Sequence, residues 1–107
     1  MFQQVDHKAA NQLIREDQNL IVADVRDIES YLAAHIPNAV HLSMDKLRAF
    51  VDCTDKSLPI LVYCFHGISS QAVAKHFVDQ GFSEVYSLEG GFETWRTHYP
   101  VDATDAK

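Results

Sequence analysis

A chain of 107 residues, 47% hydrophobic and 22% charged, has the composition of one globular domain with a core of its own, not of a disordered segment. Nine Lys+Arg against fifteen Asp+Glu leave a formal net charge of −6 with no basic block, which argues against nucleic acid, whose binding rests on neutralising phosphates. No apolar run approaches the ~20 residues of a membrane helix, the opening MFQQVDHK has no apolar signal core, and a chain with two cysteines and no export signal is expected in the reducing cytoplasm.

In chain order, short apolar runs alternate with helical patterns. A first strand is predicted near Phe2 to Val5. Asp6 then caps a helix whose Ala9, Ala10, Leu13 and Ile14 share one face. Leu20 to Val25 is a continuous run, the pattern of a strand covered on both faces. Asp27 caps a short helix through Ser30, Tyr31 and Ala34 that ends before Pro37. Val40-His41-Leu42 reads as a short strand, and Ser43 caps a helix with Met44, Leu47, Phe50 and Val51 facing inward. Ile60 to Tyr63 is a strand. Ser70 to Gln80 is a helix, with Val73/Phe77 and Ala74/Val78 four residues apart and Gly81 as its stop. Val85 to Leu88 forms another strand, and Gly90-Gly91 leads to a last helix near Phe92 to His98, ended by Pro100. This alternation predicts an α/β fold with a parallel sheet and helices on both faces. Sites in such sheets gather beyond the carboxyl ends of the strands.

Cys64 stands at such an end, followed by Phe65-His66-Gly67-Ile68-Ser69-Ser70 and then the helix. The first amides of a helix lack internal partners, and the dipole there favours negative charge. A thiolate is stabilised in that setting, and the thiolate is the nucleophilic form. Gly67 permits a backbone turn that points successive N–H groups inward as an anion nest. Ser69 and Ser70 add hydroxyl donors, and Ser70 is also a candidate helix cap. On spacing alone Cys64 is as readily a small apolar residue closing a core strand as a reactive thiol.

Cys64 to Ser70 closely resembles the active-site loop of single-domain rhodaneses, in particular the GlpE-type thiosulfate sulfurtransferases: Cys, an aromatic, His, Gly, a variable residue, Ser-Ser. Asp24-Val25-Arg26 looks like that family's Asp-x-Arg, and Gly90-Gly91-Phe92-Glu93-Thr94-Trp95 its Gly-Gly-x-x-x-Trp. Ala34-His35-Ile36-Pro37-Asn38-Ala39 is similar to its Gly-His-Ile-Pro-Gly-Ala, with both glycines replaced. The resemblance implies a rhodanese-like three-layer fold with a five-stranded parallel sheet. One domain is expected over residues 1–100, with VDATDAK, residues 101–107, as a loose tail. The resemblance also implies Cys64 as the catalytic nucleophile, with the amides of Phe65, His66, Gly67, Ile68, Ser69 and Ser70 binding substrate and persulfide. The implied reaction takes the outer sulfur of thiosulfate, releases sulfite, and passes the sulfur to cyanide or to a thiol acceptor such as reduced thioredoxin. The alternatives are a relay to a dedicated protein acceptor and a cysteine phosphatase. Phosphatases of that chemistry want an Arg six residues after the Cys, where this chain has Ser70.

The loop carries no Arg or Lys, and Gln71 follows where a Lys would suit a dianionic substrate, so weak thiosulfate binding is expected. Asp24 and Arg26 either support the loop or its substrate or form a structural ion pair. His35 is expected to hydrogen-bond a turn. His66 either lends the loop positive charge or points to solvent. Cys53 is either inert packing or a resolving thiol. The six histidines show no paired helical spacing, so no metal site and no cofactor are expected.

Overall fold

The computed structural model describes residues 1–103. Five strands, β1 (Gln3–Val5), β2 (Ile21–Asp24), β3 (Val40–His41), β4 (Ile60–Tyr63) and β5 (Val85–Leu88), alternate with five helices. These are α1 (His7–Glu16), α2 (Ile28–Ala33), α3 (Leu47–Cys53), α4 (Ser69–Asp79) and α5 (Gly91–Trp95), with a 3-10 turn over Met44–Lys46 leading into α3. The sheet is wholly parallel in the order β1-β5-β4-β2-β3, which puts β4 at its centre.

The period-two alternation of β4 divides the core. Ile60 and Val62 face one side, with Val51 of α3 and Val73, Ala74 and Phe77 of α4. Leu61 and Tyr63 face the other, with Ala10 of α1 and Phe92 and Trp95 of α5. All four β4 residues are therefore buried, as the unbroken apolar run requires. The three-layer architecture expected from the sequence is the one observed.

Local signals explain most element ends. Asp6 accepts from the Ala9 amide at 2.9 Å and Asp27 from that of Ser30 at 3.1 Å. At the C-terminus of α4, Gly81 takes φ +103 and its N–H reaches Val78 O at 3.0 Å. The Phe82 N–H reaches Phe77 O at 3.1 Å, completing a Schellman motif sealed by the contact of the two rings.

Three boundaries differ from expectation. Ser43 caps nothing: its hydroxyl turns to the Asp45 carboxylate, the chain enters a 3-10 turn, and Met44 is 60% exposed instead of facing inward. Ser70 lies inside α4 rather than capping it. The last helix stops at Trp95, and His98 and Tyr99 continue as turns bonded to its carbonyl. The tail expected over 101–107 lies partly outside the described residues. Within them, Asp102 and His35 exchange both backbone hydrogen bonds, at 2.8 and 2.9 Å, in an antiparallel bridge that holds the chain down at that point.

Candidate active site

Cys64 follows β4 directly, so its sulfur stands at the carboxyl edge of the sheet's central strand and before the N-terminus of α4. The residue is buried. The Gly67 amide donates to Sγ at 3.2 Å and the Ser70 amide at 3.3 Å, and the thiol donates to the Ser70 hydroxyl oxygen at 3.5 Å, a contact in which the hydroxyl becomes the donor once the sulfur is a thiolate. Burial alone pushes the thiol's pKa up. The Ser70 hydroxyl and amide, with the amides of Gly67 and Ile68, outweigh that penalty and bring it below the ordinary cysteine value. Ser69, Phe65 and His66 do less than expected. Among the described residues none of their amides bonds Sγ, and the exposed Ser69 hydroxyl makes no hydrogen bond.

Glycines let the loop take this shape. Gly67 sits at φ +87, and a Cβ there would lie 2.8 Å from Gly90 N and 2.9 Å from Leu88 O, both backbone atoms. Gly91 is tighter still: a Cβ would lie 2.4 Å from Phe65 O and 2.6 Å from Cys64 O. That close approach brings the first amides of α5 onto the loop, where the Phe92 N–H donates to Cys64 O at 2.8 Å and the Glu93 N–H to Phe65 O at 3.0 Å. The β5–α5 turn thus draws carbonyls away from the sulfur while the Cys64 loop directs amides toward it.

Ser87 was not foreseen as part of this site. Its hydroxyl lies 2.9 Å from Ser70 Oγ, and both residues are fully buried. A serine facing inward from a core strand must find a polar partner, and that was the available signal. Gln71, which the sequence marks only by the charge it lacks, takes part as a donor: its carboxamide donates to Gly67 O at 2.9 Å. His66 is exposed and pairs with Glu93 across the rim at 2.8 Å.

Asp24 and Arg26 form a bidentate pair, with the shortest contact at 2.7 Å and the Arg26 side chain only 8% exposed. The guanidinium also donates to Ala34 O at 2.6 Å and lies 4.2 Å above the centre of the Phe92 ring. Burial works against its charge, but the Asp24 carboxylate overcomes this and raises its pKa. These contacts tie Arg26 to Asp24, to the end of α2 and to the start of α5. His35 is buried, with Nδ1 2.8 Å from Tyr31 O, a carbonyl of helix α2 rather than of a turn. Cys53 ends α3, which runs back from the carboxyl to the amino edge of the sheet, so it is exposed at the end opposite Cys64. It is neither packed inside nor placed to resolve an intermediate on Cys64. Among the described residues, no three His, Cys, Asp or Glu side chains gather in a way that could hold a metal ion, and no helix is long and apolar enough to cross a membrane.

The Rhodanese-like domain family matches residues 6–98. This chain belongs to the rhodanese family. The thiosulfate sulfurtransferase GlpE of Coxiella burnetii is 55% identical over 101 residues, covering 94% of each chain. GlpE of Pseudomonas fluorescens is 47% identical over 91 residues, covering 85% of this chain and 83% of its own. The solved structure of the BH2092 protein of Bacillus halodurans superposes with a TM-score of 0.83 at 30% identity, over 95% of this chain and 77% of that one. Two departures from the rhodanese glycine pattern have physical explanations. Asn38 takes φ +70, a left-handed turn that asparagine tolerates, whereas Ala34 is extended and needs no glycine.

Proposed function

We propose that this rhodanese transfers the outer sulfur of thiosulfate through a persulfide on Cys64, in the cytoplasm. The supporting observation is the convergence of the Gly67 amide, the Ser70 amide and the Ser70 hydroxyl on one buried sulfur at 3.2–3.5 Å. In the first step the Cys64 thiolate attacks the outer sulfur of thiosulfate. A new S–S bond forms, the old one breaks, and sulfite leaves with the electron pair. Cys64 is left as a persulfide whose negative charge rests on the terminal sulfur. The donors that hold the thiolate serve this anion as well, because the loop presents preorganised dipoles instead of a single fixed charge. In the second step an acceptor takes the terminal sulfur and returns the thiolate. Cyanide becomes thiocyanate. A dithiol such as reduced thioredoxin becomes a disulfide and releases hydrosulfide. The pair Asp24–Arg26 supports the loop through Phe92 and does not meet substrate.

Intact mass after incubation with thiosulfate tests this reading. Wild type and Cys53→Ser each gain one sulfur atom, lost again on adding cyanide with formation of thiocyanate. Cys64→Ser gains none and turns nothing over, because a serine hydroxyl forms no persulfide. Retained turnover in Cys64→Ser would overturn the proposal.

A further inference from the structure

Gln71 occupies the first turn of α4, at the place where a cation would have suited a dianionic substrate. Its side chain does something else. The carboxamide donates to Gly67 O at 2.9 Å, while its own backbone N–H donates to Ile68 O at 3.1 Å. One residue therefore holds the two consecutive loop carbonyls that precede the helix. We infer that Gln71 is a positioning residue for the nucleophile: it latches the Gly67–Ile68 peptide in the orientation that turns its N–H toward Cys64 Sγ and its carbonyl away.

The reason lies in peptide geometry. In a planar trans peptide the C=O and N–H point in opposite directions, so fixing the Gly67 carbonyl outward fixes the Ile68 N–H inward. That amide stands between the two that bond the sulfur directly, those of Gly67 at 3.2 Å and Ser70 at 3.3 Å, and it adds to the pull that lowers the thiol's pKa. The peptide that follows a glycine at φ +87 is the one most free to turn over, since no Cβ opposes the change. Turned over, it would aim a carbonyl oxygen at the thiolate and remove a donor in the same motion. The clash that excludes a Cβ at Gly67 rules out locking the turn with a bulkier residue there, so the restraint has to come from outside the loop. Gln71 supplies it with a neutral hydrogen bond. Its contribution is orientation of a dipole, and that survives high salt, whereas the attraction of an exposed cation would be screened.

The inference rests on Cys64 being the reactive thiol but needs no sulfur donor to test. The rate of alkylation by iodoacetamide is measured against pH for wild type, Gln71→Leu and Gln71→Met, which keep the size of the side chain and delete its donor. The Cys53→Ser background isolates Cys64. Thermal denaturation of each variant is recorded alongside. In both variants the alkylation midpoint rises, the thiolate fraction below it falls between about twofold and tenfold, as for loss of one hydrogen bond, and the high-pH plateau is unchanged. The displacement is the same at 0.05 and 1 M salt. A purely structural glutamine would lower the melting temperature and leave the midpoint where it was. An unmoved midpoint in whichever variant folds overturns the inference. If instead the midpoints move while wild type takes up no sulfur from thiosulfate, the positioning role stands and the sulfurtransferase proposal falls.

Discussion

The proton of Cys64 is subject to two opposing effects. Burial favours the neutral thiol, and the donors from Ser70, Gly67 and Ile68 favour the thiolate and prevail. Alkylation of Cys64 should therefore reach half its maximal rate below the ~8.5 of a free cysteine. Because the folded value lies below the unfolded one, the thiolate adds stability above about pH 8.5, and that contribution is lost as pH falls through the folded value. Ser70 is the residue whose change is most informative. Ser70→Ala keeps the amide at 3.3 Å but removes the hydroxyl at 3.5 Å and leaves Ser87 Oγ without its 2.9 Å partner. One net hydrogen bond is worth about 0.5–1.5 kcal/mol, so the alkylation midpoint should rise by roughly 0.4 to 1 pH unit. An unchanged midpoint would mean that the amides carry the whole effect.

The elements around the site divide into those that aim it and those that brace it. α4 delivers the Ser70 amide to the sulfur, and the start of α5 withdraws the Cys64 and Phe65 carbonyls. Phe92, whose amide makes one of those bonds, lies under the Arg26 guanidinium, which is itself clamped by Asp24. Arg26→Met removes the clamp and strands a fully buried carboxylate, at a cost of about 3–5 kcal/mol in chemical denaturation. In the fraction that remains folded, saturation by thiosulfate should change little. A large loss of affinity with stability intact would make Arg26 a substrate contact instead. The strands and the Cys64 loop were legible because burial on both faces, caps and the strand-to-loop order leave local marks. Met44 faces out because its place in the helical pattern assumes a helix already begun, whereas the Ser43–Asp45 contact and the 3-10 turn delay it. The ties from Ser70 to Ser87 and from Gly91 to Cys64 join residues 17 and 27 positions apart, and no periodicity records such pairs. In the sequence Gln71 shows only the charge it lacks; its use as a hydrogen-bond donor depends on where the Gly67 carbonyl points, which the sequence does not state.

On the scale of the whole molecule, a dianion must approach a protein of formal net charge −6. The basic side chains beside the loop are engaged within the protein. Arg26 is consumed by Asp24 and Ala34, His66 faces Glu93, and Arg96 lies with its guanidinium 5.8 Å from the centre of the Phe65 ring. Net repulsion makes the first half-reaction slow at low ionic strength and faster as salt screens it, the reverse of a cation-steered enzyme. The value of kcat/KM for thiosulfate should therefore rise as salt goes from about 0.01 to 0.1 M, over which the Debye length falls from about 30 to 10 Å. With a neutral thiol as acceptor, the second half-reaction should stay nearly flat over the same range. Gln71→Lys adds a positive charge beside the loop, and its ammonium can still donate to the Gly67 carbonyl. It should lower KM for thiosulfate most at low salt, with the gain over wild type shrinking toward 1 M, where the Debye length is about 3 Å. Steady-state kinetics of the two proteins across that range decide the matter. If wild type instead slows as salt rises, attraction dominates at the mouth of the site, and Arg96 is the cation placed to supply it. Arg96→Gln should then flatten the salt dependence.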